Sequence, residues 1–306
     1  MMDGFFDIQV NGYAGADFNS PDMTAEQLHT ACERLAADGV AGILATVTTK
    51  PIDTICRCLR TLVACRRADK LAERLIAGFH IEGPFIDPAA GYRGAHEERY
   101  IVPPDMDAMK RILDAGDGLV RVVSLAPESD DGLKLTRMLA GRGLVVSAAH
   151  CDPSLDVLNA AVDAGLSMFT HLGNGCADRV QRHDNIIQRA LSLRDRLWLC
   201  FIADGVHIPF FALGNYLRAA DPARSIVVTD AVYPAGLGPG LYELHGVKVR
   251  IGEDLAIRSP DGPHLLGSAV TMRQNEANLR RALGLSDETI RRLAIDNPKS
   301  ALGIGH

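Results

Sequence analysis

Eight short apolar runs, rich in β-branched residues, recur along the 306-residue chain: FFDIQV, GILATVTT, LIAGFHIEG, LVRVVSLAP, GLVVSAAH, SMFTHL, LWLCFIAD and SIVVTD. Segments of helical periodicity separate them, at 24–38, 53–74, 104–115, 131–142, 154–164, 185–193 and 209–219. This alternation predicts a parallel α/β fold, because parallel strands need crossover helices and are buried on both faces. Eight strands with intervening helices are the count of a TIM (β/α)8 barrel. A doubly wound sheet is the rival. Its phosphate-binding turn is absent, since the first run continues as VNGYAGADFN and not as Gly-x-Gly-x-x-Gly opening a helix.

After the eighth run the texture changes. The stretch AGLGPGLYELHGVKVRIGEDLAIRSPDGPHLLGS is rich in Gly and Pro with short alternating runs. It predicts a loop and hairpin inserted at about 234–268, before helices at 271–283 and 286–294. No repeat, low-complexity tract or linker divides the chain, so residues 1–306 are expected to form a single catalytic unit.

The 32 basic and 38 acidic residues leave a net charge of -6 with no Lys/Arg block, which argues against a nucleic-acid partner. There is no basic, apolar leader and no run of about 18 apolar residues, so neither a membrane partner nor export is expected. Seven scattered cysteines, an odd number, read as reduced thiols in a cytoplasmic protein. Cys56 and Cys58 fall in a helical segment without zinc-knuckle spacing and are expected to pack.

In a TIM barrel the chemistry sits at the carboxyl ends of the strands. Those ends supply Gln9 and Asn11, Thr46 and Thr48, His80 and Glu82, Glu128, His150, His171, Asp204 with His207, and Asp230. Each alone has a structural explanation, such as a hydrogen-bonded histidine or a helix-capping aspartate. Together, a carboxylate, two histidines and a further aspartate at one mouth match a hydrolytic metal site with an open water position and a base. His80 and Glu82 share a strand face, so the cost of burying the carboxylate calls for a cation nearby.

The motifs DIQVNGYAGADFN, GFHIEGPFI with GAH, AAH, THLGNGC, IADGVH, VTDA, LLGSAVTM and DNPKSALGIG, in this order, resemble the N-acetylglucosamine-6-phosphate deacetylase family of the amidohydrolase superfamily. The resemblance runs from near residue 7 to the C-terminus. It implies a metal-dependent amidohydrolase barrel with Glu82, His150 and His171 as ligands and Asp230 as the proton-transferring residue. Gln9 and Asn11 stand where many amidohydrolases carry a His-x-His pair for a second metal. One divalent ion is therefore implied, zinc with iron as the alternative. His80 is left to support the site or to pack.

For the substrate, the resemblance implies contacts from Ala95 and His96 in GAH, from His207, from the backbone of Asn174 and Gly175, from Arg182, and from the Leu265, Leu266 and Gly267 loop. Exposed N–H groups and a guanidinium fork suit a phosphate; Arg182 would reach it across a homodimer interface. Two departures stand out. The accessory β-sandwich of the usual member is expected to be missing, and GNGCADRVQRHDNIIQR after His171 replaces the family's usual sugar-phosphate segment. The reaction expected is deacetylation of N-acetylglucosamine 6-phosphate or a close N-acetyl amino sugar. Hydrolysis of an unphosphorylated or different N-acyl compound, a noncatalytic sugar-phosphate sensor, and a barrel with purely structural strand-end polars remain alternatives.

Overall fold

The computed structural model describes residues 4–244, 247–258 and 265–304. All eight apolar runs become strands of one parallel sheet in chain order: β1 Phe5–Val10, β2 Val40–Thr48, β3 Ile76–Glu82, β4 Val120–Leu125, β5 Val145–Ala148, β6 Leu166–Phe169, β7 Trp198–Ile202 and β8 Ser225–Val228. The last strand returns to the first through a parallel bridge between Val10 and Ala231. The Asn11 N–H donates to the Ala231 carbonyl at 2.7 Å. The sheet is thus a nearly closed barrel, as predicted.

The outer helices are α1 Ala25–Ala37, α2 Ile52–Ala68, α3 Lys70–Leu75, α4 Met106–Ala115, α5 Lys134–Gly141, α6 Leu155–Asp163, α7 Ile186–Ser192 and α8 Phe210–Ala220. The helix expected over 53–74 is two helices. Asp69 breaks it in an extended conformation (φ -130°, ψ 119°), and its side chain accepts the Ala72 N–H to cap α3. Unbroken apolar periodicity concealed an aspartate that bonds backbone better at a cap than inside a helix. The helix expected from 131 begins instead at Lys134, because Asp130 accepts the N–H groups of Leu135 and Thr136 at 3.0 and 2.8 Å.

Alternate positions on each strand face two different cores. Phe6, Ile8, Ile226 and Val228 lie inside the barrel, whereas Ile43, Phe79, Val123 and Val227 pack outward with helix residues such as Leu28, Leu59 and Leu139. Each core excludes water from one face of every strand. Such burial contributes about 25 cal/mol per Å² of apolar surface.

The insertion after β8 is larger than the hairpin expected. It is a four-stranded antiparallel sheet of β9 Gly240–Leu244, β10 Val247–Ile251, β11 Ala256–Arg258 and β12 Leu265–Ser268. Residues 245–246 and 259–264 of that expected span lie outside the described residues. Val249, Ile251 and Ile257 give the sheet a small apolar cluster of its own. Ser268 bridges to Ala231, which anchors the sheet beside the carboxyl end of β8.

The chain continues as α9 Met272–Leu283, α10 Asp287–Arg291, a wide π turn at Arg292–Asp296 and α11 Asn297–Ala301, further than the expected helical end at 294. Leu302 and Ile304 then pack against the cluster inside the barrel. Asn297 donates to the carbonyls of Pro222 and Ser225 at 2.8 and 2.6 Å, clamping this end to the start of β8. All seven cysteines are unpaired. Among the described residues, no helix is long and apolar enough to cross a membrane.

Candidate active site

Glu82 closes β3, and its Oε1 is the hub of the barrel mouth. It lies 2.8 Å from His171 Nε2, 3.3 Å from His150 Nε2 and 3.2 Å from Gln9 Nε2. Candidate ligand atoms of Glu82, His150 and His171 all lie within 4.8 Å of one another, and all three residues are buried. His150 and His171 each stand two residues beyond their strands and adopt left-handed backbone conformations, with φ of 49° and 32°. Asp230, two residues beyond β8, does the same at 51°. For non-glycine residues such conformations cost about 1–3 kcal/mol each. Three of the four side chains named for chemistry share this strain.

The surroundings of His150 set its proton. Its Nδ1 lies 2.7 Å from the Tyr92 carbonyl, which can only accept, so Nδ1 carries a hydrogen and, in the neutral ring, Nε2 is the lone-pair nitrogen facing Glu82. Two glycines make room for the ring. A Cβ on Gly175 (φ 64°) would come within 2.7 Å of Nδ1, and one on Gly94 within 3.1 Å of Cε1. His96 Nε2 approaches His150 Nε2 at 3.2 Å. Where the neutral His150 ring leaves that nitrogen bare, His96 carries its own hydrogen on Nε2. Burial, and then the neighbouring His150, push the His96 imidazole down to about 3, so it is neutral.

The donor set fits a divalent metal. Lone pairs of His150 Nε2 and Glu82 Oε1 face one another with few protons available, an arrangement that a cation relieves. His171 Nδ1 is buried with no partner, so neither neutral tautomer satisfies the ring without a further ligand. Burial pushes the Glu82 carboxyl up, but the adjoining His150 and His171 imidazoles more than offset this and hold it well below the usual carboxylate range. One carboxylate and two imidazoles are an ordinary N/O set for first-row divalent ions. Among the described residues, no other group of three or more His, Cys, Asp or Glu comes together in this way.

Asp230 Oδ1 accepts from Asn11 Nδ2 at 2.7 Å. Burial, and next the charge of Glu82, raise its carboxyl above the ordinary value. The amides at the end of β1 thus each hold one carboxylate, Gln9 holding Glu82 and Asn11 holding Asp230. Asp7 supports this seam from below: its Oδ2 accepts from the Thr229 hydroxyl at 2.6 Å, and Oδ1 from the Gln9 N–H at 3.2 Å. His207 Nδ1 lies 2.6 Å from Asp204 Oδ2, while Asp204 Oδ1 accepts the N–H groups of Val206 and His207. This fixes the His207 ring and turns its Nε2 away from Asp204.

His80 lies below Glu82 and makes no hydrogen bond to it. Its Nδ1 donates to the Ile8 carbonyl at 3.1 Å and its Nε2 accepts from Ser124 Oγ at 2.7 Å. Burial pushes the ring down to about 4, so it spans the barrel as a neutral strut. Thr46 and Thr48 serve β1 and Asn19, and Glu128 receives the Asp152 N–H. None of these three reaches the cluster by a hydrogen bond.

The remaining expected contacts spread around the rim. Ala95 is exposed beside half-buried His96. The Asn174 N–H is already given to the His171 carbonyl at 2.9 Å, which leaves Gly175 as the open backbone donor of that pair. Arg182 is exposed and has no hydrogen-bond or ion-pair partner among the described residues. Leu265, Leu266 and Gly267 lie half-buried on β12, next to the residue that follows Asp230. Sequence reasoning missed Tyr92 and Gly94, which act through a carbonyl and through an absent side chain. The Gly-Tyr-Arg-Gly spacing before His96 was the available signal.

No family model matches the chain. It is 31% identical over 307 residues to the N-acetylglucosamine-6-phosphate deacetylase of Bacillus subtilis, covering 99% of this chain and 76% of that relative. An N-acetylgalactosamine-6-phosphate deacetylase of Escherichia coli O157:H7 is 28% identical, over 98% of this chain and 77% of the relative. Among solved structures, an N-acetyl-D-glucosamine-6-phosphate deacetylase variant from Mycobacterium smegmatis, in complex with N-acetyl-D-glucosamine-6-phosphate, superposes with a TM-score of 0.88. It is 29% identical, with 98% of this chain and 77% of that chain covered.

Proposed function

The chain belongs to the N-acetylglucosamine-6-phosphate deacetylase family, and from that membership we propose that it hydrolyses the acetamide of N-acetylglucosamine 6-phosphate to acetate and the free amine. The observation that carries the reading is the meeting of Glu82, His150 and His171 at the mouth that also holds Asp230. Glu82, His150 and His171 would hold one divalent ion, zinc with iron as the alternative. Bound there, it would polarise the acetyl carbonyl and lower the pKa of a water.

The protein's own groups supply the rest. Asn11 occupies Asp230 Oδ1, which leaves Oδ2 to take a proton from the attacking water and to return it to the departing nitrogen. The raised basicity of Asp230 suits that exchange. His96, seated against His150 at the mouth, is placed to meet the acetyl group, and His207 presents Nε2 to a sugar hydroxyl. The open Gly175 N–H and the Arg182 guanidinium suit the phosphate. Leu265, Leu266 and Gly267 exclude water above the sugar.

The barrel, its inserted sheet and the C-terminal helices work as one catalytic unit. Arg182, exposed and without a partner among the described residues, supports its use across a homodimer. Seven unpaired cysteines support a cytoplasmic location. Acetate release from N-acetylglucosamine with and without the 6-phosphate, and from N-acetylgalactosamine 6-phosphate, tests the substrate. The phosphorylated glucosamine should turn over fastest. Equal hydrolysis of the unphosphorylated sugar would redirect the reading to another N-acyl compound.

A further inference from the structure

We infer that Tyr92 is a positioning residue for the metal site, acting through His150, and that Asp152 and Arg189 tie it to the segment after His171. The inference rests on the reading of Glu82, His150 and His171 as metal ligands. The Tyr92 carbonyl fixes the His150 proton on Nδ1 and so prepares Nε2 to ligate. Yet this carbonyl lies on an irregular segment between β3 and α4, outside any strand. At this point the backbone N–H groups turn inward on the segment, those of Tyr92 and Arg93 both donating to Ala89 O at 3.1 and 3.2 Å.

The phenol supplies the longer-range anchor. Tyr92 Oη donates to Asp152 Oδ2 at 2.9 Å. Asp152 is two residues beyond His150, and its own N–H is held by Glu128 Oε1 at 2.6 Å. One tyrosine therefore grips the imidazole through its carbonyl and the following backbone through its hydroxyl. This double hold explains how a loop residue can set a ring orientation.

The second carboxylate oxygen carries the link onward. Asp152 Oδ1 accepts from Arg189 at 2.8 Å, and Arg189 Nε donates to Asp184 Oδ1 at 2.6 Å. Asp184 lies in the same segment as Arg182, where this chain departs from the family pattern. Close packing joins the same loops, since a Cβ on Gly91 would come within 3.1 Å of Ala177 Cα. The loops after β3, β5 and β6 are thus connected through Tyr92, Asp152, Arg189 and Asp184.

Zinc affinity of Tyr92→Phe, measured by competition with a chromogenic chelator, tests this directly. The variant keeps the ring and the carbonyl and loses only the hydroxyl. Removing a group that orients a metal ligand weakens binding about 10- to 100-fold, so a rise in zinc Kd of about tenfold is expected. Asp152→Ala removes the phenol's acceptor from the other side and should produce the same rise, which keeps the test open should one variant fold poorly. A tyrosine that served only the fold would lower the thermal midpoint and leave zinc Kd unchanged. Zinc affinity within about twofold of wild type in the folded variants, well short of that range, would overturn the inference while leaving the metal site standing. Absence of stoichiometric zinc binding by the wild type would overturn the metal-site reading, and this inference with it.

Discussion

Along β8 the inward positions run Ile226, Val228, Asp230, and along β7 they run Cys200, Ile202, Asp204: the two ends of the same strands carry opposite chemistry. The amino end is apolar and closed by Leu302 and Ile304, whereas the carboxyl end gathers buried carboxylates, imidazoles and three left-handed backbones. Between them lies a polar layer that satisfies itself. His80 Nε2, Ser124 Oγ, Thr170 Oγ1 and Ser147 Oγ are linked at 2.7, 2.9 and 2.7 Å. A barrel can carry an expensive site when stability is gathered at one end and strain at the other. The hydroxyl layer lets polarity begin inside the core without an orphaned group.

That division can be broken most severely at the mouth. Asp230→Asn should lower kcat by about 10⁴-fold, the upper end for a lost proton-transfer group, while thermal stability and zinc stoichiometry stay at wild-type levels. Substantial residual deacetylation would remove Asp230 from the reaction. Ile226→Ala is the reciprocal change at the closed end. It should cost about 2–5 kcal/mol in denaturant unfolding and leave kcat/KM of the folded enzyme unchanged. A large activity loss with little destabilisation would show that the two ends are not separate.

Gly175→Ala tests the mouth without touching a polar group. Its Cβ would meet His150 Nδ1 at 2.7 Å and occupy a backbone with φ of 64°. Displacing a ligand imidazole in this way should weaken zinc binding about 10-fold or more, read by chelator competition. An unaltered zinc Kd would mean that the ring has room to move.

The smallest expected effect sharpens the comparison at the seam of β1 and β8. Burial pushes the Asp7 carboxyl up to about 7, against the pull of its donors from Thr229 and Gln9. Between about pH 4 and 7 the folded state keeps a proton that the unfolded chain has lost, so this contribution to stability falls as pH rises through that window. The slope has a ceiling of about 1.4 kcal/mol per pH unit. Asp7→Asn should flatten unfolding free energy over this range; an identical slope in both proteins would place the titration elsewhere.

Much of this was legible in the sequence because burial on both faces makes parallel strands continuous apolar runs, and all eight were found. Polar residues at the ends of such runs stand out, which put Glu82, His150, His171 and Asp230 among the strand-end candidates, and the family resemblance singled these four out from Thr46, Thr48, His80 and Glu128. What stayed hidden acts without a distinctive side-chain pattern. The Tyr92 carbonyl belongs to every residue alike, and Gly94 works by what it lacks. Asp69 interrupts a helix through one cap inside an unbroken apolar period. The strands β11 and β12 were missed because each is short and their pairing is decided by tertiary contact, where strand propensity is weakest as a guide.

Acetate release from N-acetylglucosamine 6-phosphate, followed before chelation, after chelation and after return of a divalent ion, tests the central claim most directly. Chelation should abolish turnover, and one equivalent of zinc or iron per chain should restore it in the wild type but not in Asp230→Asn. Full activity in rigorously metal-free protein would contradict the account.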